Sequence, residues 1–376
     1  MNVTKILSII GIIIGISLLS LYFFLLQTKP SDIPNSGNTI IQNTDTEEKV
    51  DESVQEKEEE IVPEYILLES GWIPNWAFDL GFESLKQNKE IVSTVNPVLY
   101  TINKEGKLES RGIPKSKIQE LITYSKANNI RVIPTIGSYN EGSIDALLKD
   151  STNIQRNISD ILKEIEIYNF DGIDLDFEII NENSKEKYIG YITLLKTNLS
   201  EKNKLLSLTL FAQWNDAKYT DHESTRKVQD YEYLGNIADE VRIMAYDYTR
   251  ATSKKPGPIG PLDWIEDILE YATSKIPKEK IWLGVHLYSY EWVGTRTEAL
   301  TNVSVQKLIS KENIASTYKK DIGEGYAKFS CVNSTTTCQI YFQTKQGIQD
   351  RREIAKRFQI AGISYWRLGG ELDLLR

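Results

Sequence analysis

One short stretch of the sequence, residues 170–178, combines an apolar face with an acidic face. Successive side chains of a β-strand point to opposite sides, so alternate residues share a face. The apolar face would be formed by Ile173, Leu175 and Phe177, and the other face would carry three carboxyls, Asp174, Asp176 and Glu178. Carboxyls on one face lie about 6.5–7 Å apart, so their ionised forms repel one another in a dry site. Such a ladder raises the pKa of at least one member, which then keeps a proton near neutral pH.

Two other interpretations of the acidic ladder stay open from these residues alone. The first is an edge strand whose acidic face lies in water, but helical patterns at 154–168 and 188–199 flank the strand and favour a central, covered position. The second is a divalent-metal site, because carboxylates suit Mg²⁺ or Ca²⁺. Calcium loops, however, place their ligands on a glycine-containing turn, whereas these carboxyls lie on a strand.

The overall composition indicates which kinds of binding partner and cofactor are not expected. The 376 residues can form one large domain or two small ones. A formal net charge of −9 does not suggest a nucleic-acid partner. With two cysteines and two histidines, a Cys/His metal cage is not expected, and we predict no cofactor and a monomeric protein.

The two ends of the first 62 residues differ in character. Residues 6–26 are uncharged and rich in Ile and Leu, long enough to cross a bilayer, so residues 1–26 are predicted to be a signal anchor. A cleaved signal peptide is the alternative, although no small-residue cleavage site follows Leu26. Residues 27–62 are predicted to be an acidic, disordered linker. The remaining domain, 63–376, would then lie outside a cell membrane that the chain crosses once.

From residue 63 onward, strand-like and helix-like patterns alternate. Eight strands are predicted, at 65–72, 91–100, 131–137, 172–178, 205–211, 240–246, 281–288 and 362–368. Seven helices are predicted between them, at 79–89, 115–128, 152–168, 184–202, 227–237, 261–274 and 348–358. This alternation predicts an α/β fold with a parallel sheet, and eight repeats favour a closed (β/α)₈ TIM barrel. No glycine-rich phosphate loop follows the first strand, which disfavours a nucleotide-binding sheet.

About 55 residues separate the seventh predicted strand from the last helix, which is too long for a simple loop. Within this small insertion, turn-forming residues lie between Cys331 and Cys338. We interpret this part as a β-hairpin closed by a Cys331–Cys338 disulfide, which fits an oxidising compartment. Two unpaired thiols are the alternative.

The spacing Asp-x-x-Asp-x-Asp-x-Glu, formed by Asp171, Asp174, Asp176 and Glu178, resembles the signature of glycoside hydrolase family 18, the chitinase-like family. Two further segments are similar to that family. The sixth predicted strand ends in Met244-Ala245-Tyr246-Asp247, and the last contains Trp366. The resemblance covers roughly residues 63–376 and says nothing about residues 1–62.

The resemblance implies a role for each matching residue. Glu178 would be the general acid and base, Asp176 would hold the acetamido N–H of the substrate, Asp174 would share a proton with Asp176, and Tyr246 would align the acetamido oxygen. Residues expected to contact substrate or line its groove are Asp247, Met244, Trp366, Trp214 and Trp72. Asp171 and Gly172 would be structural. Other aromatic residues near predicted strand ends are Trp76, Tyr139, Tyr288 and Trp292.

The third predicted strand departs from the chitinase pattern, because residues 134–139 replace the usual Ser-x-Gly-Gly. Segments 70–72, 260–264 and 362–366 look closer to bacterial relatives that cut peptidoglycan, including spore-cortex N-acetylglucosaminidases. The expected activity is therefore hydrolysis of a β-1,4-linked polysaccharide that contains N-acetylglucosamine. A non-catalytic, lectin-like barrel and an unrelated metal-dependent barrel enzyme are the alternatives.

Overall fold

The computed structural model describes residues 65–215, 222–331 and 336–376. The predicted anchor at 1–26, the predicted linker at 27–62 and the boundary between residues 62 and 63 lie outside these ranges. Among the helices of the described residues, none combines the length and apolarity needed to cross a bilayer.

Parallel strands form a closed barrel. In chain order they are β1 (Leu68–Ile73), β2 (Thr94–Ile102), β4 (Arg131–Val132), β5 (Thr135–Ser138), β6 (Gly172–Phe177), β7 (Leu205–Phe211), β8 (Glu240–Met244), β9 (Ile281–His286) and β15 (Gly362–Trp366). Neighbouring barrel strands pair in parallel, with both β4 and β5 on β2, and β1 pairs with both β2 and β15, which closes the ring. A short strand, β3 (Leu108–Ser110), adds to β2 in antiparallel fashion. The eight-stranded TIM barrel predicted from sequence is confirmed.

The third barrel position is split into β4 and β5, which the sequence presented as one strand. Pro134 lies in the gap, and proline has no N–H to donate to a neighbouring strand. The chain nevertheless keeps its direction, because the Asp174 N–H donates to the carbonyl of Pro134 at 3.0 Å. The interruption therefore does not disturb the alignment of β5 with β6.

Helices cover the outside of the barrel and join its strands. They are α1 (Phe78–Gln87), α2 (Lys115–Ala127), α3 (Ser143–Leu147), α4 (Ser151–Tyr168), α5 (Lys185–Glu201), α6 (Glu223–Val228), α7 (Tyr231–Ile237), α8 (Leu262–Thr273), α9 (Asn302–Lys311) and α10 (Lys345–Phe358). The side chain of Asp150 caps the first turn of α4, and Asn169 ends that helix in the left-handed conformation. Six of the seven predicted helices are present as single helices, the one predicted at 227–237 is divided between α6 and α7, and α3 and α9 were not predicted.

The helix predicted at 227–237 is two helices, because two polar residues have other partners. The Gln229 side chain accepts the N–H of Phe211 and donates to the carbonyl of Phe177, so it ties the chain to the barrel. The Asp230 side chain accepts the Tyr233 N–H and starts α7 as an N-cap. Helix α6 therefore ends at Val228, directly beside the strands that carry the acidic residues.

The acidic strand β6 has the two faces that its sequence predicts. Ile173, Leu175 and Phe177 are buried in the main hydrophobic core, and the Phe177 ring stacks on Tyr191 of α5 with ring centroids 6.5 Å apart. Asp174 points the other way, into the barrel, and is fully buried. The interpretation as an edge strand with its acidic face in water is therefore wrong.

The insertion after β9 is larger than the predicted hairpin. It forms a five-stranded antiparallel sheet of β10 (Tyr288–Val293), β11 (Arg296–Thr301), β12 (Ser316–Lys319), β13 (Glu324–Ser330) and β14 (Thr337–Phe342), in the order β11-β10-β14-β13-β12. Only β13 and β14 belong to the predicted hairpin. The Cys331–Cys338 disulfide between them is confirmed, whereas the turn at 332–335 lies outside the described residues.

The predicted strand 281–288 ends two residues early, because the chain leaves the barrel there. The N–H of Leu287 donates to the carbonyl of Trp366 at 2.7 Å, and β10 begins at the next residue as part of the inserted sheet. Buried Glu324 of β13 accepts the N–H groups of Ile259 and Gly260, which follow β8. These contacts fix the inserted sheet as a wall above the barrel opening.

Candidate active site

A cavity of about 1200 Å³ opens where the barrel strands end and the inserted sheet begins. The carboxyl ends of the strands in a TIM barrel are where catalytic groups are usually found. The cavity is lined by sequence-predicted residues that lie in or directly after five barrel strands, namely Trp72, Asp176, Glu178, Trp214, Met244, Tyr246, Asp247 and Trp366. Asp174 lies beneath this set, one layer deeper in the barrel.

Asp171 and Gly172 occupy the start of β6, away from the cavity. The Asp171 carboxyl accepts the N–H of Val132 at 2.7 Å, which ties the start of β6 to β4. A Cβ on Gly172 would collide with the backbone carbonyl of Leu205 on β7. Both residues therefore set the register of the acidic strand and do not reach the cavity.

Asp174 is surrounded by hydrogen-bond donors. Thr135 and Ser207 donate to its two oxygens at 2.8 and 2.7 Å, and Thr209 donates at 3.0 Å. The Nε1–H of Trp72 points at the same carboxyl from 3.5 Å. None of the hydrogen bonds of Asp174 is made to Asp176, so the proton sharing between the two stays a prediction. Both oxygens of Asp174 thus accept hydrogen bonds from neighbouring strands directly beneath Asp176.

Asp176 uses one oxygen and leaves the other unpaired. Its Oδ2 accepts the hydroxyl of Tyr139 at 3.0 Å, while the buried Oδ1 accepts no hydrogen bond from any described residue. Burial raises the pKa of Asp176 well above its usual value, and the charges of Glu178 and Asp174 raise it further. The Tyr139 hydrogen bond acts in the opposite direction. Oδ1 is thus available to a donor that enters from the cavity.

Tyr139 reaches Asp176 only because residue 137 is glycine. The Tyr139 ring lies back over Gly137, where a Cβ would overlap the phenol. This contact explains the unusual third strand, in which Gly137-Ser138-Tyr139 stands where chitinase-like sequences have a different segment. From the sequence, Tyr139 is one of several aromatic residues near predicted strand ends, and its partner is not predicted. A glycine two positions before a tyrosine at a strand end was the available signal.

Glu178 follows the last residue of β6 and stands in the cavity wall. Its backbone is fixed on both sides, because its N–H donates to Ser138 and its carbonyl accepts the hydroxyl of Thr225, both at 3.0 Å. No described residue hydrogen-bonds its carboxyl. Burial raises the pKa of Glu178 to about 7, the Asp247 charge raises it as well, and Arg250 lowers it. Glu178 can therefore hold a proton near neutral pH and face a bound molecule directly.

The segment after β8 brings Met244, Tyr246 and Asp247 to the cavity. Asp247 adopts the left-handed backbone conformation, with φ of 62°, which turns its carboxyl inward. Tyr288 and Tyr290, on one face of β10, both donate to its Oδ1. The Tyr290 contact is not predicted from the sequence, since nothing local links the inserted sheet to this loop. The inserted sheet thus fixes the orientation of Asp247.

The tryptophans predicted from the sequence to contact substrate lie in different parts of the structure. Trp366 lines the cavity with its ring 6.0 Å from that of Trp72 and 6.2 Å from that of Trp76. Trp72 is 2% exposed, so it supports Asp174 from the cavity floor. Trp214 lines the opposite part of the cavity, and its ring contacts the ring of Trp264. Trp292, named as a possible contact residue, is instead buried in the core of the inserted sheet.

No metal site accompanies the carboxyls in the part of the chain that the structure describes. No group of three or more His, Cys, Asp or Glu side chains there has the geometry to hold a metal ion. Asp174, the deepest carboxyl, is occupied by hydroxyl and indole donors, and a cation would have to compete with them. The arrangement suits proton transfer between Glu178 and a bound molecule, next to a second buried acid.

Comparisons with known proteins identify the family of the chain. Residues 75–371 match the family described as Glycosyl hydrolases family 18. An uncharacterized glycosylase, YvbX of Bacillus subtilis, is 24% identical over 263 residues, which span 67% of this chain and 75% of that protein. The cortical fragment-lytic enzyme of Bacillus anthracis is 27% identical over 262 residues, 68% of this chain and 60% of that protein.

A solved structure shows the same fold. The chitinase of Chromobacterium violaceum superposes with a TM-score of 0.74 at 20% sequence identity, covering 82% of this chain and 96% of the chitinase. The family match covers all the barrel strands from β2 to β15, together with the inserted sheet and every cavity residue named above apart from Trp72. The resemblance noted in the acidic motif is therefore confirmed, and the chain belongs to family 18 of the glycosyl hydrolases, a family of glycosidases.

Proposed function

We propose that this glycosidase hydrolyses the β-1,4-linked glycan of peptidoglycan at N-acetylated sugars, with the substrate's own acetamido group as nucleophile. The observation that carries the proposal is that Asp176 and Glu178 line the same cavity, two positions apart at the end of β6. Glu178 faces the cavity without a hydrogen-bond partner among the described residues, and Asp176 keeps Oδ1 free beside it. Family 18 enzymes use this substrate-assisted variant of retaining glycoside hydrolysis.

In the first step the Glu178 proton passes to the glycosidic oxygen as the bond from that oxygen to the anomeric carbon breaks. The acetamido carbonyl oxygen forms a new bond to the anomeric carbon, which gives an oxazolinium ion. Asp176 Oδ1 accepts the acetamido N–H and stabilises the positive charge. Tyr246 donates to the acetamido oxygen and aligns it for attack.

In the second step water attacks the anomeric carbon and the bond to the acetamido oxygen breaks. The Glu178 carboxylate takes the proton from that water, which restores the acid for the next cycle. Trp366 supplies an aromatic plane for the apolar face of the sugar. Asp247, held by two tyrosines, would bind a sugar hydroxyl with its second oxygen. The anomeric configuration is retained because two inversions occur.

The choice of peptidoglycan over chitin rests on two observations. Tyr139 and Gly137 replace the chitinase segment at the third strand, and the similar Bacillus anthracis protein is named a cortical fragment-lytic enzyme. The test is to incubate the protein with purified peptidoglycan and with chitin oligomers and to determine product masses. Muropeptides with a reducing N-acetylglucosamine are expected. Release of chitin fragments alone would contradict the proposed substrate.

The pH dependence follows from the protonated form that Glu178 needs. A general acid works below its pKa, so we expect kcat/KM to fall about tenfold per pH unit above pH 7. The Asp247 charge raises the pKa of Glu178, so Asp247→Asn should move this basic limb to lower pH. Initial rates from pH 5 to 9 measure both effects. If the basic limb of the pH profile lies at the same pH in Asp247→Asn as in the wild type, the assignment of that limb to Glu178 is contradicted.

Tyr139 is expected to act as a positioning residue for Asp176. Tyr139→Phe removes a hydrogen bond to an acidic group, so we expect kcat to fall about 10- to 100-fold. Because that hydrogen bond lowers the pKa of Asp176, its loss should also shift the acidic limb of the profile to higher pH. Tyr124→Phe, on α2, is the matched control. A loss of rate with an unmoved profile would indicate a structural role only.

The proposal also includes a membrane location with the barrel outside the cytoplasm. It is supported by the uncharged, apolar residues 6–26 and by the Cys331–Cys338 disulfide, a bond typical of oxidising compartments. Fractionation of cells followed by treatment of intact cells with protease tests it. The protein should stay with membranes after an alkaline wash and be cleaved from outside. Recovery in the soluble fraction, or protection from external protease, would contradict the proposed location.

A further inference from the structure

Cationic side chains line the cavity of an otherwise acidic protein. The chain carries a formal net charge of −9, and three carboxyls, Asp176, Glu178 and Asp247, lie in the cavity. The same cavity is lined by five cationic residues, Arg111, Arg226, Arg250, Lys255 and Arg367. Two of the five, Arg111 and Arg367, are held by neutral groups of the described residues. A neutral chitin chain offers these two arginines no anionic partner.

Arg111 is held by a neutral side chain. Its Nε and Nη2 donate to Oδ1 of Asn75 at 3.4 and 3.3 Å, and the guanidinium lies 6.0 Å from the centre of the Tyr139 ring. Within the described residues no carboxylate lies within 4.0 Å of it. The amide and the ring fix the direction of the guanidinium without cancelling its charge. Arg111 therefore presents a positioned cation to the cavity.

Arg367 is held by backbone carbonyls. Its Nη1 donates to the carbonyl of Gly369 at 2.8 Å and to that of Leu368 at 3.4 Å. It likewise makes no ion pair with a carboxylate in the part of the chain that the structure describes. Burial lowers the pKa of Arg367 more than the charge of nearby Glu371 raises it, so an anion that arrives with the ligand would compensate a partly desolvated cation. Both carbonyls accept hydrogen bonds from Nη1, so the N–H groups on Nε and Nη2 of Arg367 can still donate to a ligand.

Both arginines lie at the same end of the cavity, beside the tryptophan platform formed by Trp72, Trp76 and Trp366. Asn75, the partner of Arg111, directly precedes Trp76, and Arg367 directly follows Trp366. The rings of Trp76 and Trp366 are 6.2 Å apart, and Trp76 is 63% exposed. In the proposed mechanism the cleaved N-acetylglucosamine lies on Trp366, so the sugar with the acidic substituent would be its neighbour in the glycan, beside Trp76 and the guanidinium groups.

We propose that Arg111 and Arg367 form a carboxylate-binding subsite beside the tryptophan platform, which selects glycans whose sugars carry an acidic substituent. This inference rests on the proposed hydrolysis of peptidoglycan and deepens it. The guanidinium fork matches a carboxylate in geometry and forms charge-assisted hydrogen bonds with it. The carboxylate could be the lactyl group on a muramyl sugar or the end of its attached peptide.

The test compares three oligosaccharides of equal length with the full-length protein. The first is a peptide-free muramyl oligosaccharide with free lactyl carboxylates, the second carries the peptide on the lactyl group, and the third is a neutral N-acetylglucosamine oligomer. Arg111→Gln and Arg367→Gln are the variants. Arg357→Gln is the matched control, because that exposed arginine on α10 is paired with Glu266 away from the cavity.

For each arginine variant we expect kcat/KM on a carboxylated substrate to fall about 10- to 100-fold, as for charged hydrogen bonds elsewhere. On the neutral oligomer the change should stay within about threefold. If kcat/KM falls on the peptide-free substrate, the lactyl carboxylate is the group that the arginines bind. If kcat/KM falls only on the peptide-bearing substrate, they bind the carboxylate of the peptide. The control variant should match the wild type on all three.

Equal losses on neutral and carboxylated substrates would overturn the subsite, since the arginines would then act on structure alone. Unchanged rates on every substrate would overturn it as well. If the wild type cleaves none of the three, the proposed function fails, and calorimetry of the uncleaved oligosaccharides then tests the arginines separately. Binding of the carboxylated ligand that is no tighter than that of the neutral one would overturn the subsite in that case.

Discussion

Glu178→Gln is expected to lower kcat by roughly 10²–10⁴-fold while oligosaccharide binding stays within a few-fold of the wild type. The amide has the shape of the acid but cannot give a proton to the glycosidic oxygen. Binding should persist because no described residue hydrogen-bonds the Glu178 side chain, so no neighbouring group loses a partner. Single-turnover rates and calorimetric affinities, measured on the same oligosaccharide, separate the two effects.

The control for this variant is Glu266→Gln, which neutralises an exposed glutamate of α8 that pairs with Arg357. It should retain wild-type rate and affinity. Near-normal turnover in Glu178→Gln would refute the role of Glu178 as the acid. Tight binding without turnover in the wild type itself would instead favour the lectin-like alternative, in which the barrel only holds its glycan.

Asp176→Asn is expected to lower kcat by roughly 10²–10³-fold, because it removes the carboxylate beside the developing oxazolinium charge. The fold should not suffer. Burial and the neighbouring charges raise the pKa of Asp176, so its ionised form is costly in the folded protein at neutral pH. The free energy of unfolding should therefore stay equal or rise in the variant.

Thermal unfolding and steady-state kinetics of Asp176→Asn together test this prediction. Asp79→Asn, at an exposed position paired with Lys117, is the matched control. A variant that unfolds at a clearly lower temperature would show that Asp176 is needed for stability. A folded variant with normal turnover would remove Asp176 from the mechanism. The expected pattern, lower activity with undiminished stability, is typical of a residue placed for function.

The barrel strands that carry the acids could be predicted because two local patterns agree on them. In β6 the period of two separates Ile173, Leu175 and Phe177 from Asp174 and Asp176, and the structure buries the first set against helices. The strand also lies between two strongly periodic helices, which fixes it as central. The split of the third strand at Pro134 was foreseeable from proline chemistry, yet the surrounding apolar residues masked it.

The inserted sheet could not be predicted in the same way. Only Leu287 separates β9 from β10, so the sequence presents one continuous strand across the point where the chain leaves the barrel. Strand β11 mixes exposed charges with half-buried residues and has no clean alternation. Its pairing with β10, and that of β10 with β14, depend on contacts far apart in sequence.

The residues that orient the catalytic carboxyls could not be predicted either, because they are also far from those carboxyls in sequence. The hydroxyls of Tyr288 and Tyr290 reach Asp247 only after the inserted sheet has folded over the barrel. Tyr139 reaches Asp176 across the strand boundary, 37 residues away. A motif identifies residues that contact the reacting atoms, whereas the residues that orient them depend on how elements meet in space.

The most direct test of the central claim is the initial rate on two matched oligosaccharides that differ only in the 2-acetamido group at the cleaved sugar. If the substrate supplies the nucleophile and Glu178 the proton, removal of the acetyl group should slow cleavage by at least about 10³-fold, as for loss of a positioned intramolecular reactant. Cleavage of the deacetylated oligosaccharide within tenfold of the N-acetylated one would contradict substrate assistance.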